Sequence, residues 1–494
     1  MQNDLRGQRI DVRRPLRCIP RALLCVALAA LPTGAPTLLA QDGSASAERS
    51  EIEALEDELR ALAQRLDEQA AKIQQLEAKL ARAQGAGASP GDPAQPEAEI
   101  PPGAEADGEL ADVAAPTAPR QPLGRFPDDA IVTAGSFDGA ISIPGTDASV
   151  RIGGFVRAEG NYDFDSLGFQ DTVSPRRIPL DGSVRDGSNQ SRFHVRNSRL
   201  NIDFRKTTAK GPLRAFIELD FFGGGTEFIS GYEARIRHVA AQIGNLYVGQ
   251  WWSQFADVQS SPEGADFGGP MGAPVARNAG IRWAADAGDG WRWGVGIENP
   301  AGDLSGPDIL LASDSVPNLT GYVQLSRSWG RLRLSGLGLQ LDSTTDEAFG
   351  GGVNFSGRLD LPAIGPRDNL AFATQFGSGF THYYSAYSGA GLEGVVDAAG
   401  RIETTDILGA YVAYQHWWTD SLRSTIQASA FEFDAPNGAD LDAFDGGRRY
   451  AVNLFWSPIR DVAFGLEYIY ASQETVGGEE GSGSRIHGMA RVDF

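Results

Sequence analysis

The sequence predicts an all-β protein: a 16-stranded antiparallel transmembrane β-barrel preceded by an α-helical coiled coil. Three observations predict it. From residue 131 onward apolar residues recur at every second position, the period of a strand with one greasy and one polar face. The connections between these runs alternate between short and long, as in barrels with short periplasmic turns and long external loops. Aromatic residues gather at the ends of the runs, where an interfacial girdle sits. Composition narrows the class further. The 494 residues carry a formal net charge of −21 and are 41% hydrophobic. Mean hydropathy is negative, which excludes a polytopic helical membrane protein. No basic domain lies outside the extreme N-terminus, so a nucleic-acid partner is not expected.

Residues 1–40 read as a secretory signal peptide. Arg6, Arg9, Arg13, Arg14, Arg17 and Arg21 precede the apolar run Ala22–Leu31, and Ala40 offers a cleavage point. The run is too short to serve as a membrane anchor. Both cysteines, Cys18 and Cys25, lie inside it, so the mature chain is expected to hold no disulfide and no thiolate chemistry. A coiled coil follows over residues 48–84. Ile52, Leu55, Leu59, Leu62, Leu66, Gln69, Ile73, Leu76 and Leu80 alternate spacings of three and four, a sustained heptad seam. An isolated helix would leave that seam in water, so self-association is expected, with Gln69 setting the register. Residues 85–130 are rich in Ala, Pro, Gly and acidic residues and read as a disordered acidic linker.

The remaining segment, 131–494, carries the barrel. Val150, Ile152, Gly154, Val156 and Ala158 alternate with Arg151, Gly153, Phe155, Arg157 and Glu159, and Leu213–Phe221, Trp291–Glu298 and Arg449–Trp456 repeat the pattern. The same reading places strands near 150–164, 192–205, 213–222, 233–243, 246–251, 277–284, 291–298, 319–326, 330–341, 349–359, 369–378, 405–417, 421–433, 448–457, 462–471 and 484–494. Loops at 165–191, 223–232, 252–276, 299–318, 379–404, 434–447 and 472–483 are long; the segment 342–348 is the short exception among them. A phase change at His194, Arg196 and Arg199 calls for a bulge. In the last strand Ile486, Ala490, Val492 and Phe494 share one face. The pairs Trp251-Trp252 and Trp417-Trp418, with Trp291, Trp293, Trp456, Tyr468 and Tyr470, are expected to form the girdles.

Hydrocarbon tolerates no unpaired backbone N–H or C=O, so the sheet must close. Sixteen strands leave a water-filled lumen. The faces opposite the lipid belt are rich in arginine: Arg151, Arg157, Arg196, Arg199, Arg205, Arg214, Arg235, Arg237, Arg282, Arg292, Arg333 and Arg449. An outward arginine near the midplane costs about 2–4 kcal/mol, so these should point inward. Guanidinium forks match carboxylate and phosphate and would favour anions. The plainer reading pairs them with wall carboxylates such as Asp163, Asp203, Glu218, Asp220 and Glu298, since residues 131–494 hold 29 basic against 43 acidic residues, a net of −14. Loop acids such as Asp434, Asp440, Asp442 and Asp445 read as solvated charge. The histidines His194, His238, His382, His416 and His487 are scattered. With no phosphate-cradling loop, zinc motif or nucleophile elbow, neither enzyme activity nor a metal or cofactor is expected.

Several stretches resemble the DcaP-like porins of the outer membrane: Ile143–Asp147 (IPGTD), Arg151–Phe155 (RIGGF), Asn197–Asp203 (NSRLNID), Ile217–Phe222 (IELDFF), Arg235–His238 (RIRH), Gly249–Asp257 (GQWWSQFAD) and Asp266–Pro270 (DFGGP). Together they span roughly the first third of the barrel, in the same order. The resemblance implies a homotrimer of 16-stranded barrels with a periplasmic N-terminal coiled coil, in the outer membrane of a Gram-negative bacterium. It implies passive uptake of small anionic solutes, especially dicarboxylates. It also implies that the segment 252–276, with Gln254, Asp257 and Asp266, folds inward and narrows the pore. Arg151, Arg157, Arg199, Arg205, Arg214, Arg235, Arg237, Arg282, Arg292 and Arg333 would line it. Expected partners are a second and third copy of the chain, outer-membrane lipid and lipopolysaccharide, and small organic anions. The alternative is an envelope tether, with the barrel anchoring a coiled coil that binds the cell wall; an adhesin or phage receptor using the long loops is a third class.

Overall fold

The computed structural model describes residues 134–224, 232–306, 314–436 and 438–494. The signal peptide (1–40), coiled coil (48–84) and linker (85–130) expected from the sequence lie outside the described residues. Sixteen long strands form the wall: β1 (Ala148–Asp165), β2 (Arg199–Thr208, with Gln190–His194 as its detached outer half), β3 (Gly211–Gly223), β4 (Glu233–Ile243), β5 (Leu246–Trp252), β6 (Arg277–Gly288), β7 (Trp291–Glu298), β8 (Asn318–Arg327), β9 (Gly330–Asp342), β10 (Glu347–Asp360), β11 (Asn369–Ser378), β12 (Asp406–Trp417), β13 (Leu422–Asp434), β14 (Phe444–Ile459), β15 (Val462–Thr475) and β16 (Glu480–Asp493). Each pairs antiparallel with the next, and β16 returns to β1, from Phe155 opposite Asp493 to Asp165 opposite Ser484. The seam is sealed by Gly154 and Phe494, whose backbones exchange hydrogen bonds of 3.2 and 3.1 Å. Closure leaves no open edge, as a membrane-spanning sheet requires. Among the described residues no helix is long and apolar enough to cross a membrane.

The expected bulge falls where the phase changes. Residues 195–198 leave the ladder between the two halves of β2. The Ser198 hydroxyl accepts the Arg157 N–H at 3.0 Å, replacing the lost ladder bond. The two-residue turn Asp289-Gly290 has φ of 46° and 67°. Positive φ at both central residues marks the hairpin turn that matches strand twist, which an Asp-Gly pair adopts at low cost. β14, β15 and β16 run further outward than the sequence suggests, so the connections after β13 and β15 shrink. There the strands rise above the lipid, acids such as Glu474 and Glu480 sit in the ladder, and alternation of apolar residues no longer marks a strand.

Alternation decides which side faces lipid. On β14, Tyr450, Val452, Leu454 and Trp456 are exposed, while Arg449, Ala451, Asn453 and Phe455 are buried. Trp291, Trp293, Tyr468, Tyr470 and Trp418 are outward too, and so are Trp283 and Trp329. Trp251, Trp252 and Trp417 do not join the girdle. Trp252 is buried and Trp251 packs 5.2 Å from the inward-facing Phe216 ring and 4.2 Å from His238. Trp417 lies under Arg367 and beside Arg423. Two adjacent tryptophans cannot both face lipid on a pleated strand; parity sends one inward, and at β5 the following loop carries the other in as well.

The interior is largely filled by loops. Residues 166–189, 253–276 and 379–405 fold into the lumen and bury Leu167, Val173, Ile178, Phe255, Phe380, Tyr383, Tyr384 and Tyr387. They pack against inward residues of β9 and β12–β15, namely Leu337, Leu339, Leu341, Ile407, Phe431, Phe433, Phe444 and Ile469. Tyr387 stacks on Phe431 at 4.7 Å. A small outer sheet joins Leu304–Ser305, Gly394–Val396 and Ile402–Thr404. The side of the lumen bounded by β9–β15 is therefore occupied. The inner faces of β1–β7 instead carry mostly charged side chains, among them Arg157, Asp203, Asp220, Arg237 and Glu298.

Placing a charge on the outer wall tests this orientation. Val452→Arg should lower unfolding stability in lipid vesicles by about 2–4 kcal/mol, the depth-dependent cost of a lipid-facing arginine. Thr425→Ser, inward on the neighbouring strand, should change it little in the same denaturant titration.

Candidate functional site

The loop 253–276 leaves β5 and travels along the inner wall rather than across open water. Its start is held by Glu298 on β7, which accepts the Ser253 hydroxyl at 2.9 Å and the Gln254 N–H at 3.0 Å. Glu298 also accepts Thr320, Asn278 and the Tyr383 hydroxyl. Asn354 on β10 donates to the Phe255 carbonyl at 2.9 Å. Gln415 on β12 donates to Glu263 at 2.8 Å, and Asn453 on β14 to the Glu263 carbonyl at 2.7 Å. The Met271 N–H donates to Ser429 on β13, and the Val275 N–H to the Tyr383 carbonyl. The segment 253–276 is thus a strap laid along β7–β16, and its end returns to β6.

Two kinds of arginine hold the strap. The first kind pairs with its carboxylates: Arg331 with Asp257 at 2.8 Å, Arg423 with Glu263 at 2.5 Å, and Arg449 with Asp266 at 2.8 Å while its other nitrogen reaches Glu467 at 3.1 Å. Asp266 also receives Thr172 and the Val173 N–H, which ties the 166–189 loop to the same anchor. The second kind donates to backbone carbonyls: Arg282 to Trp252 at 2.7 Å, Arg358 to Ser261 at 3.2 Å, Arg333 to Gln254, and Arg157 to Ala265. Removing one member of a buried ion pair leaves an uncompensated charge and costs several kcal/mol, so the first kind fixes the strap firmly. Arg282, Arg333 and Arg358 fix it without a direct carboxylate partner, whereas Arg157 is itself paired with Glu159.

The ten arginines singled out from the sequence all lie on the inner side, in different company. Arg205 and Arg214 share Asp203 at 2.6 and 2.9 Å, and Arg205 also covers the Phe137 ring. Arg235 and Arg237 share Asp220 at 2.7 and 3.0 Å, and Arg237 pairs with Glu218 at 2.8 Å. Arg199 lies 3.6 Å from Glu218. Arg157 pairs with Glu159 at 2.6 Å. Arg292 pairs with Asp286 at 2.9 Å and meets the Tyr322 hydroxyl at 3.3 Å. Arg333 stacks 3.7 Å from the centre of the Tyr322 ring, and Arg282 lies 5.0 Å from Tyr247. Arg151 is half-buried with its Nε in no hydrogen bond. The other two inward candidates are structural: Arg449 anchors the strap, and Arg196 holds Asp171 at 2.5 Å. Along β2–β4, five arginines face three carboxylates, and Arg277 and Arg282 on β6 adjoin them.

The strap residues Gln254, Asp257 and Asp266 are buried at the wall. Glu263, Arg331, Arg358, Arg423 and the aromatic block of 379–405 act with them but were not singled out by sequence. Arg331 and Arg358 could have been found by parity with Arg333 and with each other across the β9–β10 ladder; the aromatic loop carries no periodic signal. Among the described residues no group of His, Cys, Asp and Glu is arranged to hold a metal ion.

Burial acts to raise the carboxyl pKa of Asp257 and of Asp266, yet Arg331 beside the first and Arg449 beside the second hold both below the usual range. A depressed folded-state pKa gives stability that is present above the unfolded value and is lost as pH falls through the folded one. Single-channel current should therefore stay steady as pH is lowered from neutrality to about 4, the ordinary carboxylate value, and become noisy only below it. Asp266→Asn should bring that noise to neutral pH.

The comparisons with known proteins agree with this architecture. A sequence-family model described as the porin subfamily matches residues 138–488. The DcaP outer membrane channel of Acinetobacter baumannii is similar in structure, with a TM-score of 0.63 at 23% identity over 70% of this chain and 97% of that one. OmpT of Vibrio cholerae gives 0.46 at 13% identity over 71% and 99%, and OmpF of Salmonella typhi 0.47 at 8% over 70% and 98%. No curated protein sequence matches the chain. With a closed barrel, an internal strap and a family match over most of its length, the chain belongs to the porin subfamily and is an outer-membrane channel protein of the β-barrel type.

Proposed function

We propose that this porin is a passive diffusion channel for small organic anions, dicarboxylates among them, working as a homotrimer in the outer membrane of a Gram-negative bacterium. The observation that carries the reading is the state of Arg282, Arg333 and Arg358. Each is spent on a backbone carbonyl or hydroxyl of the constriction, and none has a carboxylate within ion-pair distance among the described residues. In this reading the charge of these guanidinium groups, bound directly to no carboxylate, acts on solute in the lumen. The uneven count of arginine and carboxylate along β2–β4 adds to it.

In this reading, transport needs no conformational step. An anion sheds part of its hydration at the strap, and guanidinium N–H groups and the Tyr322 hydroxyl replace it. Binding stays weak because the same nitrogens are already engaged, so the solute leaves readily. Most of the net acidic charge sits at the outer rim, in residues such as Asp434, Asp442 and Glu480, away from the strap. The trimer rests on the resemblance to DcaP-like porins and on the heptad spacing of residues 52–80, whose apolar seam suits self-association.

Reversal potentials in a KCl gradient across planar bilayers test the reading. The wild-type channel should prefer anions. Arg282→Gln with Arg333→Gln keeps donors for the strap but removes two charges. It should cut the anion-to-cation permeability ratio by roughly sevenfold per charge, since a unit charge some 7 Å away in water favours the anion and disfavours the cation by about threefold each. An unchanged ratio would remove the basis for assigning selectivity to these arginines. Light scattering in detergent should give three times the mass of one chain, and deletion of residues 48–84 should lower the concentration stability of that species.

A further inference from the structure

Away from the wall and the strap, one buried titratable cluster joins two external loops. Glu393 and His382 are both buried. The Glu393 carboxylate accepts the His382 backbone N–H at 3.1 Å and the Asp303 N–H at 2.7 Å, and it also meets His382 Nδ1. The Glu393 N–H donates to the Asp303 carbonyl at 3.0 Å. In return the Asp303 carboxylate accepts the Ala390 and Gly391 N–H groups at 3.0 and 2.8 Å. These contacts close one end of the small outer sheet, where Leu304–Ser305 runs beside Gly394–Val396. They fasten the 379–405 loop, with its buried Tyr383, Tyr384 and Tyr387, to the segment that follows β7.

The charges in this cluster are compensated only through His382. Among the described residues it is the one basic side chain within ion-pair distance of Glu393. Asp303 and Asp314 act on the same imidazole, and Asp314 accepts the Gly302 N–H at 2.7 Å. Arg176, from the 166–189 loop, acts on Asp303 from further off, and its Nε donates to the Ala386 carbonyl at 3.1 Å. A buried carboxylate that loses its one cationic partner is strongly disfavoured. His382 is also wired to the strap. Its Nε2 lies 3.4 Å from Asn318 Nδ2 on β8, which donates to the Tyr383 hydroxyl at 3.1 Å. That hydroxyl donates to Glu298 at 3.1 Å, the carboxylate that holds Ser253.

We propose that His382 and Glu393 form a proton-dependent latch on the 379–405 loop, which stays seated in the barrel while the imidazole is charged and loosens when it is not. Burial acts to lower the His382 pKa, yet the Glu393 carboxylate beside it holds it above the ordinary histidine value, with Asp303 and Asp314 acting in the same sense. Burial and the nearness of Glu393 raise the Asp303 carboxyl as well. A raised folded-state pKa gives stability that is complete below the unfolded value, about 6.5 for histidine, and is lost as pH rises through the folded one. The latch therefore opens toward alkaline pH. Competing titrations there are few. Burial, with Glu298 beside it, pushes the Tyr383 hydroxyl further up. Lys206 and Lys210, the lysines among the described residues, lie at the turn after β2, at the opposite end of the barrel. The other four histidines sit on wall strands, and substitution at His382 separates their contribution. The latch does not depend on the charge of the permeating solute.

Single-channel current of the purified full-length protein in KCl, with pH stepped from about 6 to about 9.5, tests the latch. The trace should be quiet at the acid end. It should gain mean current and open-channel noise along a one-proton curve, most of which falls within about two pH units. Asp303→Asn removes one flanking charge and should move the midpoint down by about one pH unit. His382→Gln keeps a donor for Glu393 but no charge, and should be noisy over the whole range. His382→Lys keeps a cation up to its ordinary value of about 10.4 and should stay quiet. A merely structural role for the imidazole ring would make both variants at this position noisy, and that result overturns the latch. So does a wild-type trace equally quiet at both ends of the range, a comparison that needs no substituted protein to fold. Reversal potentials in the same bilayers test the anion reading separately.

Discussion

The structure depends on one constraint: inside hydrocarbon no peptide group can go without a hydrogen-bond partner. Strands that satisfy one another in pairs must close, and here the closing pair is β1 with β16. Closure in turn dictates the alternation. Each strand has an outer face that must be apolar and an inner face that is free of that demand, so charge is confined to one parity. The arginines are inside because the outside excludes them, before any consideration of what they bind. Val150 or Ile152 beside Arg151 already expresses this order of causes.

A wall of this circumference encloses more space than inward side chains can fill. The surplus is taken up by external loops, and they do so in two chemical styles. Toward β9–β15 the filling is a hydrophobic core of Phe380, Tyr384, Tyr387, Phe431 and Phe433. Burial of such aromatic rings is favourable wherever water is excluded, inside a barrel as in a soluble domain. Toward the middle the filling is polar, and every carboxylate of the strap meets an arginine of the wall. A buried pair of this kind contributes little net stability against an apolar substitute, but it is costly to break. Its effect is to choose one position for the loop among many. The 166–189 loop shares the Asp266 anchor and the 379–405 loop shares Glu298, so three segments far apart in sequence hold one another in place.

The barrel wall was legible because alternation is imposed by the solvent on each side, and a two-residue period survives any choice of particular residues. Strand β4 was placed at 233–243 and found there, and the bulge near Arg196 followed from the broken phase alone. Legibility ended where the solvent ceased to differ between faces. At the rims of β14–β16 both faces meet water, so Glu474 and Glu480 resembled loop residues. Aromatic clustering also misled at Trp251-Trp252 and Trp417, because aromatic residues suit an interfacial girdle and a lumen wall equally well. The loops were the least legible. Nothing local distinguishes the buried Tyr383, Tyr384 and Tyr387 from solvent-exposed residues, since what buries them is a wall assembled from β9, β13 and β14. The partners of individual arginines were equally hidden. Arg235 and Arg237 share Asp220 through the β3–β4 register, which is inferable once strands are aligned. Arg423 finds Glu263 on the strap, 160 residues away, which is not.

Why the inner wall uses arginine follows from what each side chain must do at once. Only four lysines occur in the chain. A lysine ammonium is a point charge on a flexible stem, and engaging it with one acceptor largely fixes its direction. Arginine presents several N–H groups in a rigid plane, so one edge can hold a carbonyl or carboxylate while another faces elsewhere. Arg449 does this with Asp266 and Glu467, and Arg331 with Asp257 and Ser260. Arg282 and Arg333 do it with a carbonyl on one side and an aromatic ring on the other. The same residue type therefore yields ion-paired anchors and carbonyl-bound ones, and the acceptor decides which. Where the strap offers a carboxylate, the guanidinium becomes part of a buried ion pair. Where it offers a carbonyl, the strap is secured by a hydrogen bond instead.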